Sequence, residues 1–226
     1  MLNHTTLKVI LFTKIPLNGF AKTRLSDEVG VEKAILLFKK LLDIHASNYK
    51  KLRKRHPDII FEAHLAFPDN LSLKSAKKIF KSAFPFNCRL YSQSKGGLKT
   101  RMLQAMQKSE ITDITVLHGS DVAGLNYSHF FTSFLQPEFV CISPSNDYGY
   151  GLISCPAGFL NNNFFPEHTA EDTLAALLKH LQKTGVPCRV IAPVFDIDTL
   201  TDYHLFKTNI TQNSAKNQTI LETLNL

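Results

Sequence analysis

The feature that most constrains this chain is an alternation. Short apolar runs, rich in β-branched and aromatic residues, are separated by stretches with helical periodicity. LKVILFT (7–13), DIIFEAHLAF (58–67), CRLYSQS (88–94), ITVLHGSD (114–121), FVCISPS (139–145), YGLISC (150–155) and CRVIAPVF (188–195) read as strands. Ser26, followed by Asp27 and Glu28, gives a cap-like start to a helix whose Ile35, Phe38, Leu41, Leu42 and His45 share one face. LKSAKKIFKSAF (73–84), LKTRMLQAMQKS (98–109) and SHFFTSFL (128–135) read as further helices. In TAEDTLAALLKHLQKTG (169–185), Leu174, Leu177, Leu178 and Leu181 line one stripe and Gly185 sits at the end. TLTDYHLFK opens a last helix, with Thr199 placed to cap it. This order predicts an α/β domain: a mostly parallel sheet with helices on both faces. No linker interrupts it, so residues 1–210 read as one domain and 211–226 as a tail or small docking helix.

Composition narrows the function. No run approaches the roughly 20 apolar residues of a membrane span. The N-terminal MLNHTTLKVILF has neither a basic leader nor a small-residue cleavage site, and reads as a first strand. The four cysteines form no close pair, which argues against a thiolate metal site and for free thiols in a cytoplasmic protein. The net charge of +7 is densest in YKKLRKRHPD (49–58). No stacking aromatics alternate with these charges and Pro57 follows, so the run reads as a solvated helix end and not as a nucleic-acid surface.

In parallel sheets ligands bind beyond the carboxyl ends of the strands. Three loops at such ends carry chemistry. In KIPLNGFAKTRL, Pro16 and Gly19 permit a tight turn, and Lys22 and Arg24 stand near a helix start where backbone N–H groups already favour an anion. A point charge beside a guanidinium fork suits a phosphate chain, although GxxxxGK[ST] is absent. In GSD, Asp121 can hold a hard divalent cation, or simply close a turn. FDIDTLTD places Asp196 and Asp198 on one side of a strand end, with Asp202 in the following helix. One basic and two acidic loops together describe a phosphate-plus-magnesium site. His118, inside an apolar strand, reads as a core histidine with a backbone partner.

FTKIPLNGFAKTRL, GGLKTRM, GSD, NDYGYGLI, HTAEDTL and FDIDTLTDYHLF, in this order, resemble the glycosyltransferase-like proteins of the nucleotide-diphospho-sugar transferase superfamily. That is the type found in arsenosugar clusters and related to the 2-phospho-lactate and molybdopterin guanylyltransferases. The resemblance implies a three-layer α/β/α fold of the GT-A type. It implies catalytic roles for Lys22, Arg24 and Asp121, and nucleotide contacts from Gly19, Lys22, Arg24, Gly97, Arg101 and Ser120. It implies a Mg²⁺ or Mn²⁺ ion on Asp121 and Asp198, and an acceptor side formed by Asp147, Gly149, Tyr150 and Thr169. The segments depart from the family in places: Gly97 stands for an Asp, Tyr148 for a Gly, Gly151 for a Tyr, and the chain has no Trp.

The activity implied is transfer from a nucleotide-sugar to a small-molecule acceptor. Two alternatives stay open: nucleotidyl transfer from a triphosphate to a phosphorylated small molecule, and a non-catalytic nucleotide-binding relative. The sequence leaves the oligomeric state open.

Overall fold

The computed structural model describes residues 6–108, 112–166 and 173–213. In chain order the elements are β1 (Leu7–Lys14), α1 (Thr23–Val29), α2 (Val31–Arg55), β2 (Ile60–Ala66), α3 (Leu73–Ala83), β3 (Arg89–Ser92) and α4 (Leu98–Gln107). They continue with β4 (Ile114–Gly119), β5 (Val122–Ala123), α5 (Tyr127–Phe134), β6 (Val140–Pro144), β7 (Tyr150–Pro156), α6 (Leu174–Lys183), β8 (Cys188–Val190), β9 (Phe195–Asp196) and α7 (Leu200–Asn213). The main sheet runs β3-β2-β1-β4-β7-β6-β8. All its strands are parallel except β7, which runs against β4 and β6. The expected three-layer α/β/α architecture is therefore present.

Alternate residues of the central strands pack in opposite directions, as a sheet buried on both faces requires. Val9 and Leu11 of β1 join Phe38, Leu42 and Tyr49 of α2, Phe80 of α3 and Phe130 of α5. Ile10 joins Met102 and Met106 of α4, Ile142, Ile153, and Leu177 and Leu181 of α6. A third cluster docks α7 on α1 and α2 through Leu25, Leu37, Leu41, Tyr203 and Phe206. β2 alternates in sequence, yet Glu62 and His64 are as buried as their apolar neighbours and pair at 3.0 Å.

Two sequence expectations need correction. The first helix does not start at Ser26: α1 begins at Thr23, directly after Lys22, and the Ser26 hydroxyl donates back to the Lys22 carbonyl from inside the helix. Gly30, at φ +86, then separates α1 from α2. The stretch 188–195 is not one strand. Cys188–Val190 belongs to the main sheet, whereas Phe195–Asp196 pairs antiparallel with Val122–Ala123 in a separate ribbon.

Other expectations fit. Thr199 caps α7, its hydroxyl accepting from the Asp202 N–H at 3.1 Å while the Asp202 carboxylate accepts from the Thr199 N–H at 2.9 Å. The basic run ends α2, where the Arg53 guanidinium lies 4.1 Å from the Phe86 ring centre and that of Arg55 lies 4.2 Å from Tyr127. All four cysteines are free. No helix among the described residues is long and apolar enough to cross a membrane.

The ribbon is held tightly against β7. A Cβ on Gly151 would sit 2.6 Å from Val194 Cγ2 and 2.8 Å from Val122 Cγ2. Both neighbours are β-branched and have little rotamer freedom to yield. Gly151→Ala is therefore expected to cost about 1–3 kcal/mol, to be read as a lowered denaturant midpoint; an unchanged midpoint would show that the ribbon can shift.

Candidate functional site

The carboxyl ends of β1, β2, β3, β4, β6 and β8 face one edge of the sheet, so the loops that follow them gather there. Asp121 follows β4, and the β5–β9 ribbon brings the other acidic loop to it: Asp121 precedes Val122, which is paired with Asp196. Asp121, Asp196 and Asp198 each offer one carboxylate oxygen to a group whose atoms lie within 4.8 Å of one another. The sequence pointed to Asp121 and Asp198 as ligands; the ribbon adds Asp196.

Lys22 enters this group from the opening loop. Its ammonium lies 2.7 Å from Asp121 and 3.3 Å from Asp198, and it also donates to the Ile197 carbonyl. The Lys22 side chain is 1% exposed. Burial alone would lower its pKa, but Asp121, Asp198 and Asp196 outweigh burial and the net shift is upward. The sequence reading makes Lys22 a phosphate contact near a helix start; the structure seats its ammonium among the carboxylates. Arg24 remains outside, its side chain 76% exposed and 3.5 Å from Asp198.

The three carboxylates crowd one another. Burial first, then the charge of Asp121, push the Asp196 carboxyl up to about 7, with Lys22 pulling the other way. Its Oδ1 is buried and has no hydrogen-bond partner among the described residues. Crowded carboxylate oxygens with one orphaned lone-pair donor are the donor set a hard divalent cation takes. Mg²⁺ or Mn²⁺ fits these residues.

Behind Asp121 the loop is held by two buried imidazoles. His118 lies 2.9 Å from the Gly119 carbonyl through Nδ1 and 2.7 Å from the Tyr49 hydroxyl through Nε2. A carbonyl can only accept, so Nδ1 carries the proton and Nε2 accepts from Tyr49. His45 lies 3.2 Å from the Ser120 carbonyl through Nε2. Burial lowers His45 to about 4 and holds His118 well below its ordinary value, so both are neutral at pH 7. His118 is thus a core histidine with a backbone partner, as expected. His45 reads in sequence only as part of an apolar helix face, and Tyr49 only as the first residue of the basic run 49–58.

The remaining predicted residues divide. Gly19 takes φ +71 in the opening turn. Ser120 is 2% exposed, and its N–H donates to the Phe12 carbonyl. Gly97 starts α4, and its carbonyl accepts from the Arg101 N–H. The Arg101 guanidinium donates to Gln93 Oε1 at 2.8 Å. Gln93 Nε2 in turn donates to the Thr13 and His64 carbonyls, tying the ends of β1 and β2 together. Thr169 lies outside the described residues.

Asp147 and Gly149 lie in the turn between β6 and β7, and Tyr150 opens β7. Asp147 Oδ1 accepts from the Ser145 hydroxyl and from the Gly149 N–H. Asn146, which the sequence reading passed over, fastens this turn to the acidic group: its Oδ1 accepts from the Asp196 N–H at 2.6 Å and its Nδ2 donates to Asp202 at 2.7 Å. Among the described residues, the two non-glycines with positive φ are Lys22 (φ 55), which is ion-paired to Asp121 and Asp198, and Tyr148 (φ 66), which follows Asp147 in the chain. Each costs about 1–2 kcal/mol of backbone strain, and such strain concentrates at functional sites.

This fold is that of the nucleotide-diphospho-sugar transferases and nucleotidyltransferases. The chain aligns with a protein of Desulfovibrio desulfuricans G20, provisionally classed as a nucleotide-diphospho-sugar transferase, at 23% identity and TM-score 0.79, covering 93% of this chain and 90% of that one. It aligns with a nucleotidyl transferase of Methanothermobacter thermautotrophicus at 14% identity and TM-score 0.59, covering 92% and 99%. A third match is glucosyl-3-phosphoglycerate synthase of Mycobacterium tuberculosis, solved with Mg²⁺ and uridine diphosphate, at 11% identity and TM-score 0.50, covering 84% and 71%. No protein-family profile and no curated protein sequence matches the chain.

Proposed function

We propose that this protein is a metal-dependent transferase that takes a nucleotide-sugar and passes the sugar to a small-molecule acceptor. The observation that carries the reading is the convergence of Asp121, Asp196 and Asp198 with Lys22 and Arg24 at the carboxyl edge of a parallel sheet. Asp121, Asp198 and Asp196 would hold Mg²⁺ or Mn²⁺, and the bound ion would neutralise the diphosphate of the donor. Lys22 fixes the spacing of the carboxylates and leaves Arg24 as the exposed cation for phosphate oxygens. Its guanidinium fork suits them, and it would stabilise charge that develops as the nucleoside diphosphate departs. Gly19, Gly97 and Arg101 shape the nucleotide half, and Asp147, Gly149 and Tyr150 the acceptor half. No step requires a protein nucleophile.

Nucleotidyl transfer is the second reading, favoured by Arg24 and by the likeness to a nucleotidyl transferase fold. Sequence alone lends it weight by counting two cations in the opening loop, which would suit a triphosphate. With Lys22 engaged by carboxylates, one of those two charges is already neutralised, and the balance moves toward a diphosphate donor.

The test is a calorimetric titration with nucleoside triphosphates and nucleotide-sugars, each with and without Mg²⁺ or Mn²⁺. Metal-dependent binding of a nucleotide-sugar is the expected result. A triphosphate binding alone would establish the second reading, and silence throughout would leave a non-catalytic relative.

A further inference from the structure

Tyr148 combines two properties that rarely coincide. Its backbone is left-handed, at φ 66, which a bulky side chain resists. Its side chain gains nothing visible in exchange: the residue is 82% exposed, the most open of the large apolar side chains described. A tyrosine that pays for an unfavourable backbone in order to stand in solvent is poorly explained by folding.

Its position explains it better. The turn that carries Tyr148 is anchored on both sides: Asn146 accepts from the Asp196 N–H, and the Tyr148 carbonyl accepts from the Leu174 N–H at 2.9 Å. Asn146 is two residues away, so the Cα of Tyr148 lies within about 7 Å of a residue bonded to the acidic group. Asp147, next to it, is near enough to act on Asp196 electrostatically. The turn joins β6 to β7, away from β1, β2 and β3, whose parallel carboxyl ends form the half suited to a mononucleotide.

We propose that Tyr148 is a binding residue for the sugar ring of the nucleotide-sugar, an aromatic platform at the turn that Asn146 ties to the acidic group. A sugar offers an apolar C–H face and a rim of hydroxyls. The exposed phenol face of Tyr148 complements the apolar face, and its hydroxyl can serve the rim. Held backbone and unheld side chain suit this role, because the ring is presented at a fixed place without being buried. The inference rests on the nucleotide-sugar reading and deepens it.

The experiment compares wild type with Tyr148→Gly and Tyr148→Phe by calorimetry with Mn²⁺ present. The probes are uridine and guanosine diphosphates alone, and UDP-glucose and GDP-mannose. Tyr148→Gly is expected to bind the bare diphosphates within twofold of wild type. It is expected to lose about tenfold or more of the affinity that the sugar adds, while Tyr148→Phe keeps it. Glycine accepts the left-handed backbone freely, so Tyr148→Gly is also expected to melt at or above the wild-type temperature. An undiminished sugar increment in Tyr148→Gly would overturn the platform and leave the nucleotide reading standing. So would a clear fall in its melting temperature, which would make the residue structural. Wild-type protein silent to every nucleotide would sink the nucleotide reading, and the platform with it.

Discussion

Asp121→Asn is expected to erase the metal-dependent part of nucleotide affinity while the protein still melts cooperatively. The amide keeps the shape of the side chain and removes one anionic oxygen from a group of three. Hard cations depend on the number and charge of such ligands. The loss should be at least as large as the roughly 10- to 100-fold that follows removal of a partner one layer further out. The fold should survive, because Lys22 keeps Asp198 at 3.3 Å and the Ile197 carbonyl. Asp121 is itself 41% exposed, so solvent discounts the ion pair that is lost. Calorimetry with and without Mn²⁺, beside a thermal melt, reads both halves. Equal metal-dependent affinity in the variant would remove Asp121 from the metal site.

The second large effect concerns Asp196. Burial and the neighbouring carboxylates raise its carboxyl from an ordinary 3.8 to about 7. Between those values the folded protein holds a proton that the unfolded chain has released. Stability therefore falls as pH rises through that window, and above it the folded state bears the whole cost of the charge. Asp196→Asn carries no such charge. With a chelator present, its melting temperature should exceed wild type at pH 8 and meet it near pH 4. Added Mn²⁺ should then raise the wild-type melting temperature at pH 8 and leave the variant's unchanged. A gap that does not widen with pH would show that Asp196 is not the strained member of the group.

Much of this architecture is legible in the sequence because β runs and helical stripes are local patterns. The strand cores of β1, β2, β4, β6 and β7 and the inner face of α2 follow from spacing alone. GSD and FDID were readable as strand-end loops for the same reason. What could not be read depends on contacts between distant segments. The β5–β9 ribbon joins residues more than seventy positions apart, and only that pairing turns Asp196 into a third member of the acidic group. The misread cap at Ser26 has a similar origin. Ser26 has the right chemistry for a cap, but Lys22, drawn inward by Asp121 and Asp198, sets the chain path and starts α1 three residues earlier. Asn146 looked like any turn residue, because its value lies in reaching Asp196 and Asp202.

The single reversed strand, β7, has a consequence for how such a site can diversify. Each parallel strand delivers one connection to the carboxyl edge and must then leave it through a crossover. A hairpin delivers a tight turn with both feet rooted in the sheet. The turn at 145–149 can therefore be exchanged without rerouting the chain or disturbing the strands that frame the opening loop. In a protein built this way, the turn and the opening loop are separately replaceable pieces, and the turn is only a few residues long.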